Sequence, residues 1–412
     1  MARPPTLVTD FSTTTGMTLT QGTGSVALDA TSDYVRTGTK SLKIVQLASA
    51  SSALVDLDMR NTAFGGTGSE GPSAVADNLW HLRSFVDNPA NQNNLSFFVS
   101  NTAGGFTDYF TQNVMGPALV SVPNRWWDRV ESRKDWSVAE GTPSWTTPVR
   151  TIRIRPGANA NGTLTTWLDA LYRGGYARPK VVITFDDSSG GQYLLAKPVL
   201  DTYGLKATFY VLGAKVSADV GDGLTQAQVN TLYDQKHDIG YHAWTNTDHN
   251  NYGTLTTAEL MASHNAWLAY AQFRYPRSYR HHAMPLGSDS ATVRASVSAA
   301  GFLTGRGTRR LIQNHLFGID DPLNLRCYSV DFASDTVNSL IEASQTAITY
   351  GSTLFLNFHA VHATTTSGAQ ISVADFTTLM ADLYRKQQSN LLDVVTVSQW
   401  YSGLTSPWYR SV

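Results

Sequence analysis

The chain has 412 residues, of which 42% are hydrophobic and 15% charged, with a formal net charge of -1. That length suggests two or three domains with ample apolar material for buried cores. The balance excludes the basic patch a nucleic-acid binder needs and the like-charge block of a disordered arm; a neutral partner such as a polysaccharide is compatible with it. The lone cysteine, Cys327, excludes an intramolecular disulfide framework. No stretch approaches the roughly 18 apolar residues of a membrane span, and no apolar secretory core follows the first residues. The expectation is a soluble protein that, if it acts outside the cell or on a cell surface, leaves by lysis, by a dedicated secretion route or on a virus particle.

Residues 1–175 read as all-β. Ser41-Leu42-Lys43-Ile44 and Thr151-Ile152-Arg153-Ile154-Arg155 alternate polar and apolar side chains with the strand period of two, and Gly and Asn clusters punctuate such runs. No long helical pattern appears, so a β-sandwich is predicted. The runs at 38–45 and 164–172 resemble the first and last strands of jelly-roll carbohydrate-binding modules. Trp80, Trp126, Trp127, Trp136 and Trp145 are candidates for stacking on sugars, although a core position is the commoner fate of any single Trp.

Composition and periodicity change across residues 174–179. From Lys180 onward strand-like runs alternate with helical ones. Strands are predicted at 181–185, 206–212, 238–243, 279–283, 302–304, 326–331, 353–359 and 394–397. Helices are predicted near 194–203, 225–233, 257–270, 290–300, 336–349 and 373–388. About seven or eight βα repeats predict a (β/α) barrel, distorted or incomplete, over 176–412, after the jelly-roll-like sandwich of 1–175.

The chemistry gathers around Val181-Val182-Ile183-Thr184-Phe185-Asp186-Asp187, an apolar strand running into two carboxylates. Burying an unpaired carboxylate costs several kcal/mol, so this pair belongs at the strand's carboxyl end, where barrels hold their sites. Reading the other strand ends adds His242 and then His249, Arg280 with His281 and His282 before Pro285-Leu286-Gly287, Asp331, and His359 with His362. Imidazoles and carboxylates on one rim are what Zn²⁺ or a similar ion requires.

Here the chain resembles the polysaccharide deacetylases, the chitooligosaccharide deacetylase homology family (carbohydrate esterase family four). Thr184-Phe185-Asp186-Asp187 resembles the first motif of that family. Ala207-Thr208-Phe209-Tyr210, Lys236-His237-Asp238-Ile239-Gly240-Tyr241-His242, Ala283-Met284-Pro285-Leu286-Gly287 and Leu354–His359 resemble later ones, in order, over about 180–400. The resemblance implies metal-dependent removal of N- or O-linked acetyl groups from a glycan. It implies Asp186 as general base, Asp187 with two His as metal ligands, and His359 as general acid.

Three departures follow. The family spaces its two second-motif His residues four apart, which here gives Asn246, whereas the next His is His249. Seven residues of helix span about 10.5 Å, too far for two ligands of one ion, so the segment is expected to fold back as a loop. His249 is preferred over Asn246, with Asp248 a weaker candidate. The Arg that opens the family's third motif is Ala283 here, leaving Arg280 without a settled role, and its Tyr is Leu286, which keeps a backbone N–H for an oxyanion hole. The Leu of the last motif aligns with Asn357, so the acetyl pocket around Phe358 is expected to be rebuilt. Asp331 is expected either to orient and charge-tune His359 or to form a structural salt bridge.

The function expected is a divalent-metal hydrolase, with Zn²⁺ the expected ion, acting on acetylated polysaccharide or oligosaccharide. The alternative is a glycan-binding or adhesion protein whose barrel has lost catalysis. A third, weaker reading is amide hydrolysis of a small substrate. Low charge and the Thr/Ser/Gly/Asn-rich first half resemble a phage tail component, in which case a virion-associated homotrimer is expected.

Overall fold

The computed structural model describes residues 6–64, 66–67, 79–115, 126–132, 137–174, 178–218, 223–308, 322–323, 325–364 and 368–404. The chain divides into two compact units, residues 2–176 and 177–411.

The first unit consists of two antiparallel sheets. One contains Thr6–Thr9, Ser25–Asp29, Ser41–Gln46, Leu79–Val86, Trp126–Ser132 and Leu164–Arg173. The other contains Met17–Thr20, Leu54–Asp58, Gln92–Ser100, Tyr109–Met115, Ser137–Glu140 and Thr151–Ala158. The two-residue alternation decides which side chains meet: Leu42 and Ile44 are buried while Lys43 is not, and Ile152 and Ile154 are buried while Arg153 is not. Ile44, Leu82 and Leu168 of one sheet join Val55, Phe97 and Ile152 of the other in a single apolar cluster. Trp80 is 1% exposed within that cluster. Trp145 is partly buried and stacks on Phe110 with ring centroids 4.2 Å apart. The side chains of Trp126 and Trp127, and all of Trp136, lie outside the described residues.

The second unit is built on a parallel sheet of Lys180–Phe185, Thr208–Leu212, Asp238–Ala243, His281–Ala283, Thr304–Arg306, Tyr328–Ser329, Thr353–Phe358 and Asp393–Val395. Lys180–Phe185 is central, flanked by Thr353–Phe358 and, at its upper end, by Thr208–Leu212. Asp393–Val395 pairs with the lower half of the central strand. The edge strands Thr304–Arg306 and Tyr328–Ser329 approach through a parallel bridge between Arg306 and Leu325. The sheet therefore curls into a distorted barrel, closed at this seam, among the described residues, by that one bridge.

Alternation again sorts the side chains. Ile183, Phe185, Phe209, Val211, Ile239, Tyr241, Leu356 and Phe358 point outward into the cluster shared with the helices. Val182, Tyr210, Ala283, Cys327 and Phe355 fill the interior with Val397 and Trp400. Gly240 occupies an inward position, and a Cβ there would lie 2.6 Å from the Tyr210 ring. The outer helices Gln226–Asp234, Thr257–Ala271 and Val337–Tyr350 begin at capping boxes on Thr225, Thr256 and Thr336.

A last helix, Val397–Leu404, takes the place of the end of the expected strand 394–397. Thr396 turns the chain there: its N–H donates to Gln399 Oε1 at 2.9 Å. This helix seals the barrel floor, where the Ser398 N–H and hydroxyl donate to buried Asp238 at 2.7 and 3.0 Å.

Candidate metal and catalytic site

Thr184 and Asp186 share the inward phase of the central strand, so regular continuation would turn Asp187 outward. Instead Asp187 and Ser188 adopt left-handed backbone, with φ of 70° and 57°. Asp and Ser tolerate this conformation better than bulky or β-branched residues do. The turn brings both carboxylates to the rim. The Ser188 hydroxyl anchors it by accepting the Leu212 N–H at 2.9 Å.

Asp186 is 3% exposed. Arg306, itself 1% exposed, donates from Nη2 to both carboxylate oxygens at 2.7 and 2.5 Å. Burial works against the Asp186 charge, but Arg306 and then His242 and His359 outweigh it and hold its pKa below the ordinary carboxylate value. Arg306 Nη1 also donates to the Gly307 carbonyl at 3.1 Å and lies 3.3 Å from Cys327 Sγ.

His242 ends the third barrel strand, while His249 lies on a short helix, Asn246–Asn251. The loop expected between them is therefore largely helical. Thr245 caps this helix by accepting the Asp248 N–H at 3.0 Å, and the Asp248 carboxylate accepts the Thr245 N–H at 3.2 Å. That carboxylate also accepts the Ser263 hydroxyl at 2.7 Å, so Asp248 serves as a cap. A strand end, a bend and one helical turn cover seven residues without the separation a continuous helix would impose. The Nε2 atoms of His242 and His249 each lie 3.2 Å from Asp187 Oδ1. One ligand atom from each of the three residues falls within 4.8 Å of the others.

This arrangement fits a divalent cation. His242 Nδ1 lies 2.9 Å from the Ala283 carbonyl, and His249 Nδ1 lies 3.0 Å from Asn250 Oδ1. Acceptors at both Nδ1 atoms place the protons there and leave bare Nε2 lone pairs aimed at a carboxylate oxygen. Asp187 Oδ1 is itself buried with no aligned hydrogen-bond donor. Three converging lone-pair donors need positive charge between them. With a proton rather than a cation between them, these imidazoles donate to Asp187: burial opposes its charge, yet the two hold its pKa well below the ordinary value, and Asp187 in turn raises that of His249.

His359 follows the strand Thr353–Phe358 and lies near enough to stabilise both carboxylates. Gln192 fixes this neighbourhood: its side-chain amide donates to the Asp186 carbonyl and, at 2.8 Å, to the His359 carbonyl. Gln192 opens a π-helical turn, Gln192–Ala196, a form common at functional sites.

Other sequence-predicted residues lie elsewhere. Arg280 precedes its strand rather than ending it, and its Nε donates to the Gly301 carbonyl at 2.6 Å. His281 and His282 occupy opposite faces of the three-residue strand, so neither reaches the rim; only the Ala283 carbonyl does. Asp331 is exposed and accepts the Ala333 N–H at 3.0 Å, which makes it a turn residue rather than a partner of His359. Phe358 is 1% exposed and packs against Phe185 and Phe376, on the outward face of the strand and away from any acetyl pocket. Leu286 sits in a tight turn with φ of 55° and is 69% exposed, beside the helix of His249. His362 is exposed on a short strand, Ala360–His362.

Arg306 and Gln192 are the residues that sequence reasoning missed. A strand ending at Thr304 stops short of Arg306. Extending the same inward phase by two residues would have placed Arg306 on the rim. Gln192 carries no motif signal, because its role depends on two backbone carbonyls brought together by folding.

A curled parallel barrel with carboxylates and imidazoles gathered at its carboxyl rim is the arrangement in which βα barrels carry their active sites. The family model described as polysaccharide deacetylase matches residues 173–305, so this segment carries a polysaccharide deacetylase domain. Arg306 and His359 fall beyond the matched stretch. Among solved structures, the Xyl-CE4 domain of a multidomain xylanase from the hindgut metagenome of Trinervitermes trinervoides is similar at 13% identity, over 55% of this chain and 91% of that one, with a TM-score of 0.36. A family 4 acetyl xylan esterase from Clostridium thermocellum, in complex with cobalt, is similar at 19% identity, over 54% and 90%, with a TM-score of 0.35. A family 4 pseudoenzyme from Bacillus anthracis is similar at 16% identity, over 55% and 67%, with a TM-score of 0.38. No curated protein matches the chain.

Proposed function

We propose that the second unit removes N- or O-linked acetyl groups from a polysaccharide by metal-assisted hydrolysis. The observation that carries this reading is the convergence of Asp187, His242 and His249 beside the Asp186–Arg306 pair. Asp187, His242 and His249 would hold a divalent cation, with Zn²⁺ the expected ion, which when bound would supply Lewis acidity to the acetyl carbonyl and to the attacking water.

The chain's own groups do the rest. Asp186, kept ionised by Arg306, accepts the proton of the attacking water. The Leu286 N–H donates to the carbonyl oxygen as it gains charge. His359 delivers a proton to the departing amine or hydroxyl oxygen as the C–N or C–O bond breaks, and acetate is released. Gln192 keeps the base and the acid in register by holding both their carbonyls.

The second reading is a glycan-binding or adhesion protein without catalysis. The seven-residue His spacing and the exposed Leu286 in place of a third-motif Tyr favour it. The first unit, taken as a jelly-roll-like glycan-binding module, suits either reading, as does action at a cell surface from a trimeric virion component. Acetate release from acetylated xylan, chitin oligomers and O-acetylated capsular glycans decides between them. Release that chelator abolishes and Zn²⁺ restores is expected. No release from any of these with metal present favours the binder.

A further inference from the structure

Outside the rim, two imidazoles are buried behind the barrel wall in contact with one tyrosine. Tyr252, His264 and His282 are each fully buried. The Tyr252 hydroxyl lies 2.7 Å from His264 Nε2 and 3.2 Å from His282 Nε2. The surrounding rings are Tyr241, Trp267 and Phe302, an apolar setting in which an unsatisfied polar atom is costly. A phenol has one proton to give. It donates to one imidazole and accepts from the other, so the two rings hold complementary protonation at Nε2 and lock the hydroxyl between them.

The place of this cluster in the chain gives it a consequence. Tyr252 ends the short helix that carries His249, and its N–H donates to the His249 carbonyl at 3.4 Å. His264 lies on the long helix Thr257–Ala271, next to Ser263, whose hydroxyl holds the Asp248 cap at 2.7 Å. Two consecutive residues of one long helix thus grip the short helix at its start and at its end. His282 adjoins Ala283, whose carbonyl orients His242. The segment His282-Ala283 therefore touches the supports of both imidazole ligands.

We propose that Tyr252, His264 and His282 are positioning residues that set the distance between His249 and His242, and through it the affinity of the site for a divalent cation. This rests on the metal reading of the site and deepens it. A six-residue helix has little stability of its own, so its placement has to come from tertiary contacts. A hydrogen-bonded clamp fixes it where apolar packing alone would leave a sliding contact.

The test uses the full chain. Zn²⁺ affinity is measured on the metal-free protein by competition with a chromophoric chelator. The Co²⁺ absorption spectrum reports ligand geometry, and the thermal midpoint is taken in EDTA. Y252F and H264N, whose shorter amide does not reach the Tyr252 hydroxyl, are expected to weaken Zn²⁺ binding about 10- to 100-fold and alter the Co²⁺ spectrum. H264Q places an amide where Nε2 stood and is expected to bind close to wild type. L340A, in the core away from the site, is expected to lower the thermal midpoint with Zn²⁺ affinity unchanged. Should Y252F not fold, the contrast between H264N and H264Q decides. Wild-type affinity and spectrum in Y252F and H264N, with only the thermal midpoint lowered, overturn the inference while leaving the metal site standing. A wild-type protein that binds no divalent ion overturns both.

Discussion

Arg306 Nη2 bridges both carboxylate oxygens of Asp186 at 2.7 and 2.5 Å, and both residues are buried at the rim of the barrel. Breaking such a pair leaves a buried charge without its partner, which costs about 3–5 kcal/mol. R306Q is therefore expected to lower the urea midpoint sharply. The folded-state pKa of Asp186 lies below the ordinary carboxylate value, so the pair's contribution to stability is present above pH 3.8 and is lost as pH falls through the folded value. Without Arg306 the carboxyl rises, and the acidic limb of the kcat/KM profile should move to higher pH. R306K, which keeps the charge, should shift it less. An unchanged limb in R306Q would remove Asp186 from the role of base.

The two candidates for the third ligand give opposite expectations. H249A should abolish stoichiometric Zn²⁺ binding and acetate release. N246A, at the first position of the short helix, should retain both. Calorimetric titration of the two metal-free variants checks this, and equal loss in both would return the ligand position to dispute.

Residues that the fold places away from the rim should behave as structural. F358A removes a ring packed on Phe185 and Phe376 and should cost about 3–5 kcal/mol in urea while kcat of the folded fraction persists. D331N should leave the pH profile of kcat untouched, since the carboxylate serves its own turn. A large kcat loss in D331N with stability intact would restore Asp331 to the site.

Acid should destabilise the barrel well above the carboxylate range. Burial pushes His237, His264 and His281 down to about 4 and His282 well below 6.5. The unfolded chain binds these protons first, so between pH 6.5 and about 4 it holds more protons than the folded one. Stability is therefore full above pH 6.5 and falls as pH drops through that window, by at most about 1.4 kcal/mol per pH unit for each group. Urea unfolding of wild type and H264Q across pH 4–7 should show the shallower slope in H264Q; identical slopes would mean His264 titrates normally.

The first-motif strand, the metal-ligand candidates and most outer helices were legible because each is a local pattern. An apolar run ending in carboxylates, a capping threonine before a helical period and an imidazole at a strand end need no partner to be seen. The misplacements share one cause. Arg280 falls before the strand, which begins at His281 rather than at 279, and adjacent residues of a strand face opposite sides, so His281 and His282 cannot share the rim. Phe358, in the stretch that resembles the last motif, faces the helices because adjacent strand residues point opposite ways.

By itself, then, the sequence determined the all-β first half, the βα alternation of the second, and the identity of Asp186, Asp187, His242, His249 and His359 as the groups with chemistry to offer. Periodicity and side-chain type are properties of the chain and survive without a fold. Only the tertiary structure decided that Asp187 turns inward on left-handed backbone, that Arg306 rather than Arg280 neutralises Asp186, and that a capped helix returns His249 to His242. Each of these depends on atoms far apart in sequence meeting within about 3 Å, where burial makes an unpaired charge or lone pair too costly to leave unmatched.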